Sequence, residues 1–327
     1  DAVDEMLITA RSMKKMYGPH LALDDISLDI PHGAIGILGP NGAGKSTFFK
    51  CLLGLIKTTS GSGRVLGHDI STEGELIRSK IGYMPEYDSL DPGLTAIDQV
   101  RYSGELLGMN PDAATQRAHE VLQYVGLKDQ RYRKIETFST GMKQAAKLAC
   151  ALIHDPEILI CDEPTNGLDQ RAREFMLQTL RKTVMEGGRS VLMSSHVMDD
   201  VETVCDRIVM IHKGKIVVHR SIDDMVKQVE KEIEISVWGG ASQMESELTL
   251  RGLSVRRMGR NMRVTKIDDD TYTEILSSAA KAGVQVRKMT EYEPDLEDIF
   301  LLIMDKLGEE VRETGELMTS EHMGEGL

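Results

Sequence analysis

Apolar positions in this chain alternate in twos at first, then gather into short unbroken runs, then recur every three or four residues. Leu7-Ile8-Thr9-Ala10-Arg11 and Ile26-Ser27-Leu28-Asp29-Ile30 read as strands, the second ended by Pro31-His32-Gly33. Strands this close predict hairpin-rich antiparallel structure. Residues 34–38, 158–161 and 191–194 are short apolar runs, which suits strands buried on both faces. Residues 46–53 read as a helix, 61–70 as turns around a short strand, and 81–84 as a strand stopped by Pro85. From 94 to 153 the helical pattern dominates, interrupted at Asn110-Pro111 and Gly126. Residues 207–219 form a hairpin around Lys213-Gly214. Parallel strands alternating with helices imply a doubly wound α/β core.

That first domain spans residues 1–220. Residues 221–232 read as a connecting helix, with Ser221 as N-cap and Asp223-Asp224 in the first turn. Residues 233–310 form a small α+β unit: strand 233–238, helix 243–250, strands 254–258 and 261–265, helix 271–281, strand 284–289 and helix 296–307. The order β-α-β-β-α-β suggests a ferredoxin-like arrangement. Residues 311–327 are glycine-rich and acidic, which predicts a flexible tail.

Composition narrows the class. The 327 residues are 41% hydrophobic and 28% charged, an ordinary globular balance. No apolar run reaches the ~18 residues that suggest a membrane span. The start, Asp1-Ala2-Val3-Asp4-Glu5, lacks the basic-then-apolar layout of a signal peptide. It also lacks Met, which suggests a trimmed start. A net charge of −13 argues against nucleic acid as a partner. Cys51, Cys150, Cys161 and Cys205 include no C-x-x-C pair, so reduced structural thiols are expected, with no zinc site. Several of the nineteen methionines fall in apolar patterns and read first as core filler, then as partner surface.

The candidate chemistry starts at Gly39-Pro40-Asn41-Gly42-Ala43-Gly44-Lys45-Ser46-Thr47, which fits G-x-x-x-x-G-K-[ST] between a strand and a helix. Glycines let successive N–H groups turn inward around anionic oxygens, and the helix N-terminus adds partial positive charge. Lys45 would reach the β/γ-phosphates, and the Ser46 hydroxyl would ligate Mg²⁺. A second stretch, Ile158-Leu159-Ile160-Cys161-Asp162-Glu163, is an apolar strand ending in two carboxylates. Asp162 would hold Mg²⁺ and Glu163 would polarise an attacking water. Solvated acids in a loop are the plainer alternative for that pair.

The run continues Pro164-Thr165-Asn166-Gly167-Leu168-Asp169, with Phe138-Ser139-Thr140-Gly141-Met142-Lys143-Gln144 upstream and Ser194-Ser195-His196 downstream. In this order the stretches resemble the ATP-binding cassette (ABC) ATPases, with 162–169 matching that family's Walker B and D-loop. The resemblance covers roughly residues 6–220. It implies a P-loop NTPase ABC ATPase fold with an antiparallel β subdomain and a helical subdomain at about 90–155. Implied cofactors are ATP and Mg²⁺. By the same resemblance Tyr17 stacks on adenine, and His196 contacts the γ-phosphate and the water. Ser139, Gly141 and Asp169 belong to the ATP site, with Ser139 and Gly141 serving the nucleotide of a second subunit. Ser139 also reads as an ordinary helix N-cap, and both can hold.

Two departures stand out. The signature usually runs Leu-Ser-Gly-Gly-Gln. Here it is Phe138-Ser139-Thr140-Gly141-Met142, similar to exporters of the drug, sodium and polysaccharide class; Ala145 replaces an arginine common there. Glu86 stands where the family usually has glutamine, and it is expected to serve catalysis as an Mg²⁺ ligand that makes turnover more dependent on metal and pH. Leu296-Glu297-Asp298-Ile299-Phe300 resembles the ending of exporter-type cassettes with an accessory domain. The resemblance implies an ATPase subunit that dimerises head to tail, on the cytoplasmic face of a membrane. It would power a separate permease, whose docking is expected near 86–91 and the helices after Leu94. A soluble ABC ATPase of translation or DNA repair, and a regulatory switch with little hydrolysis, are the rivals. One cassette, with only roughly a hundred residues between phosphate loop and signature, argues against the first rival. Glu163 argues against the second.

Overall fold

The computed structural model describes residues 6–228, 231–259, 261–292 and 298. Its contacts divide the chain into two units, one ending at Ile222 and the other starting at Asp223. In the first, β1 (Met6–Tyr17) and β2 (His20–Pro31) pair as an antiparallel hairpin. Ile26, Leu28 and Ile30 are buried while Ser27 and Asp29 face out, the period of two seen in the sequence. β3 (Ala34–Leu38) is buried at every position, and α1 (Lys45–Leu52) follows the glycine loop.

β4 (Ser60–Val65) and β5 (His68–Asp69) complete a four-stranded sheet in the order β2-β1-β4-β5. Residues 61–70 thus hold more strand than the glycines suggested. Gly61 and Gly63 lie inside β4, because β1 bulges towards them at Ser12. A Cβ on Gly61 would stand 2.2 Å from the Ser12 carbonyl oxygen. The glycines mark close approach rather than turns.

α2 (Gly74–Lys80), which no sequence signal had singled out, leads into β6 (Ile81–Met84). The helical stretch resolves into α3 (Ala96–Leu106), α4 (Pro111–Tyr124) and α5 (Thr140–Leu152). Asn110 caps α4 by accepting from the Asp112 N–H at 2.9 Å, with Pro111 in the first turn. Between α4 and α5 the chain makes two 3-10 turns, Lys128–Tyr132 and Ile135–Thr137, where a helical pattern had been expected. The Ile135 N–H donates to the Leu94 carbonyl at 2.9 Å, a bond across forty residues that local pattern cannot encode.

β7 (Ile158–Asp162), α6 (Gln170–Met185), β8 (Ser190–Ser195), α7 (Met198–Val204), β9 (Arg207–His212) and β10 (Lys215–Ser221) complete the unit. The second sheet runs β10-β9-β3-β8-β7-β6, parallel except for the edge strand β10. α7 crosses β3 so closely that a Cβ on Gly36 would stand 2.3 Å from Val201. Phe48 and Phe49 of α1 sit fully buried in one cluster with Leu7, Ile26, Ile35 and Ile160. This cluster joins the two sheets through α1, and each phenylalanine contributes about 2–3 kcal/mol of burial.

The second unit contains α8 (Ile222–Gln228) from Asp223 onward, then β11 (Glu232–Trp238), α9 (Ala241–Leu250), β12 (Val255–Met258), β13 (Asn261–Thr265), α10 (Thr271–Ala282) and β14 (Gln285–Tyr292). Ser221 is the last residue of β10, and Lys231 lies outside α8. The sheet order is β12-β13-β11-β14, antiparallel throughout, the split β-α-β topology. Ile233, Ile235, Met244, Leu248, Met262, Val264 and Ile275 form its core. The helix expected at 296–307, the tail 311–327 and the 296–300 stretch lie outside the described residues, apart from Asp298. Among the described residues no helix is long and apolar enough to cross a membrane.

Candidate active site

The site grows from strand register. In the parallel sheet Leu38 of β3 pairs with Ser195 of β8, and Ser194 of β8 pairs with Asp162 of β7. Gly39, His196 and Glu163 therefore leave the sheet side by side at its carboxyl edge, where open α/β sheets bind ligands. A cavity of about 360 Å³ opens there, lined by Tyr17, His20, Ala22, residues 40–47, Glu86 and Glu163.

Backbone conformation and backbone hydrogen bonds shape the glycine loop. Gly39, Gly42 and Gly44 have φ of 155°, 81° and 111°. A Cβ on Gly44 would lie 2.6 Å from the Ala22 carbonyl oxygen. Gly214, in the β9–β10 turn, donates its N–H to the Ala43 carbonyl at 2.9 Å and accepts from the Asp24 N–H at 2.8 Å. The turn thus braces the loop against β2. Gly44 gives α1 no side-chain cap, which leaves first-turn N–H groups free to meet oxygens of a ligand.

Lys45 is 6% exposed and donates to the Gly39 carbonyl at 2.6 Å. Its Nζ lies 3.2 Å from Glu163 Oε1, an ion-pair distance without hydrogen-bond alignment. Glu163 Oε2 meets His196 Nδ1 at 2.8 Å. Glu163 itself has φ of 50°, an uncommon state for a residue with a side chain. Ser194 supports both acids: its hydroxyl accepts from the Glu163 N–H at 2.9 Å and donates to Asp162 Oδ1 at 2.6 Å. Burial pushes the Tyr83 phenol well above its usual range, and Asp162 adds to that shift.

The predicted residues fall into two groups. Tyr17, Pro40 to Thr47, Glu86 and Glu163 line the cavity, Gly39 and His196 stand at its edge of the sheet, and Asp162 lies 2% exposed beneath it. Ser139, Gly141 and Asp169 are not among the lining residues. Ser139 caps α5, and Asp169 caps α6 by accepting from the Ala172 N–H at 2.9 Å. The sequence reading missed Ser194, although it sits in a fully buried strand where an unpaired hydroxyl is costly. It also missed Asp200, which is fully buried, accepts from Thr165 Oγ1 and pairs with Arg173, both at 2.5 Å. The Thr165 bond anchors the 164–169 segment to α7, and the Arg173 pair ties α6 to it.

Comparison with known proteins follows the same lines. The ABC transporter family model matches residues 23–166. The linearmycin resistance ATP-binding protein LnrL of Bacillus subtilis is 35% identical over 303 residues, covering 90% of this chain and 97% of that protein. The chain belongs to the ABC transporter family. The Nod factor export ATP-binding protein I of Sinorhizobium fredii is 32% identical over 307 residues, 91% of this chain and 85% of that protein. Among solved structures, a dimeric ATP-binding cassette in a post-hydrolysis state with ADP and Pi matches with a TM-score of 0.61 and 26% identity. It covers 66% of this chain and 98% of its own. The protein is thus an ATP-binding ABC ATPase of the exporter-type class, from a family whose cassettes form dimers and work with separate membrane components.

In this ABC cassette the Gly214 brace generates a test. Gly214 has φ of 77°, and a Cβ there would stand 2.8 Å from the Ala22 carbonyl oxygen. Gly214→Ala is expected to cost about 2 kcal/mol of stability and to weaken nucleotide affinity several-fold. Calorimetry and a nucleotide titration check this; unchanged Tm and affinity would show that the turn does not brace the loop.

Proposed function

We propose that two copies of this chain bind ATP head to tail and hydrolyse it to drive a separate membrane-spanning permease in export. The observation that carries the reading is the buried Lys45–Glu163 pair at the mouth of the glycine loop, joined on its solvent side by the half-exposed His196. In this reading the loop N–H groups and Lys45 hold the phosphates. Tyr17, 46% exposed beside the cavity, offers its ring to adenine. Glu163 orients and polarises the attacking water, and His196 fixes the Glu163 carboxylate and faces the γ-phosphate.

The oxygen donors Ser46, Asp162 and Glu86 suit Mg²⁺, a hard cation that keeps several waters. Among the described residues no group of three or more His, Cys, Asp or Glu side chains forms a metal cage. That fits a metal held partly by phosphates and water. Mg²⁺ supplies charge neutralisation at the phosphates. Glu86 is exposed and lines the cavity, within reach of that role.

Ser139, Gly141 and Asp169 lie outside this chain's own cavity. We assign Ser139 and Gly141 to the nucleotide of the partner, with Asp169 at the junction. Gly141 lets the start of α5 pack closely on α6: a Cβ there would stand 2.9 Å from the Ala172 Cβ. One chain alone then hydrolyses ATP slowly. The exposed Tyr87, Tyr102, Leu106 and Leu107 offer a docking face for the permease, which would hold the subunit at the cytoplasmic face of a membrane.

Two substitutions test the roles. Glu163→Gln should lower ATP turnover by roughly 100-fold or more while leaving ATP binding within a few-fold; parental turnover would remove Glu163 from the chemistry. Glu86→Gln should raise the Mg²⁺ concentration needed for half-maximal turnover and alter the pH–rate profile. No change in either would show that Glu86 is not a ligand.

A further inference from the structure

Lys147 is a buried cation that the site described above does not use. It lies on α5 at 5% exposure, among the buried residues Ala146, Leu148 and Ala151. Among the described residues it has no carboxylate partner at ion-pair distance. Its Nζ donates instead to three consecutive backbone carbonyls: Pro85 at 2.7 Å, Glu86 at 3.1 Å and Tyr87 at 3.2 Å. An ammonium has three N–H donors and no acceptor, so this set uses all of them. Desolvation holds the Lys147 pKa below the usual lysine range, with Asp88, Cys161, Glu86 and Asp162 acting in the opposite direction. Burying an ammonium without an ion pair is costly. What it secures is the segment after β6, where Pro85 has no N–H and the chain leaves the sheet.

The same helix face has a second hold. Lys143, one turn earlier, places its Nζ 3.1 Å from Asp88 Oδ2. α5 therefore grips segment 85–88 through its backbone and through a side chain. On α5 too, Gln144 Nε2 reaches the Asn166 carbonyl at 3.5 Å. The helix begins at Ser139, whose hydroxyl caps it.

We infer that Lys147 is a positioning residue that pins the Glu86 segment to the signature helix, so that Ser139 and Glu86 of one chain move together. This rests on the proposed function, in which Ser139 meets the partner's nucleotide while Glu86 faces this chain's own. Lys147 then carries mechanical coupling between the two ATP sites of the dimer. Lys45 and the glycine loop stay outside the link, so nucleotide binding and turnover separate when it is cut.

The experiment uses the full chain as Lys147→Met, Lys147→Gln and Lys147→Arg. It reads hydrogen exchange of the amides of 86–91 against those of β3, the affinity for ADP, and kcat and KM for ATP. In Lys147→Met, exchange at 86–91 should rise about tenfold or more with β3 unchanged. Turnover should fall roughly tenfold while ADP affinity stays within about twofold. Lys147→Arg should restore part of both, and Lys147→Gln should fall between Met and Arg. If Lys147→Met does not fold, Lys147→Gln carries the same comparison. Parental exchange and kcat in a folded variant would overturn the inference, as would equal loosening of β3. A parent chain without ATPase activity would instead defeat the proposed function, and the exchange measurement would still decide whether Lys147 pins the segment.

Discussion

The buried ammonium of Lys45 and the buried carboxylate of Glu163 face each other across 3.2 Å, and much of the fold serves to bring them there. Lys45 opens α1 after β3, and Glu163 follows β7; these two strands are separated in the sheet by β8. Only one register puts all three strand ends level, and a slip of one residue would turn each side chain to the opposite face. Removing either partner of such a pair leaves a buried charge uncompensated, a loss of about 3–5 kcal/mol. Ser194 strengthens the constraint, because its hydroxyl ties the Glu163 N–H and the Asp162 carboxylate to β8.

Around that pair two supports divide the work. The β9–β10 turn and β2 fix the glycine loop through carbonyls and N–H groups, so its shape depends on glycines that admit close backbone approach. α5 binds the other side of the cavity: its start presents Ser139, and its buried face holds the carbonyls of 85–87 and reaches Asn166. The first support shapes a phosphate cradle within one chain. The second ties the segment that bears Glu86 to the helix that starts at Ser139, as the proposed head-to-tail dimer requires.

Legibility in the sequence followed the range of the interactions. β3 and the centres of β7 and β8 are apolar runs, because covered strands need little polar face, and all three lie where the pattern put them. The phosphate loop was legible because its chemistry is contiguous. Gly61 and Gly63 misled, since a glycine admitting a bulge on a neighbouring strand looks like a turn glycine. The 3-10 turn at 135–137 depends on Leu94, and α2 is one short helix without a strong apolar period. Asp200, Lys147 and Gly214 were illegible for one reason: each acts on a segment from thirty-five to nearly two hundred residues away. A long-range partner leaves no local spacing to read.

The claim that this chain holds half of a shared site is tested most directly by mass in solution. Sedimentation of Glu163→Gln, with and without MgATP, reads it, alongside the double variant carrying Ser139→Glu. Ser139 is exposed and lies away from its own chain's cavity, so the added carboxylate should spare ATP binding while repelling a partner's phosphates. The account predicts that MgATP shifts Glu163→Gln from the 36.3 kDa chain to about twice that mass, and that the double variant binds ATP yet stays monomeric. ATP-saturated Glu163→Gln that remains a monomer, or a double variant that dimerises equally well, would contradict it.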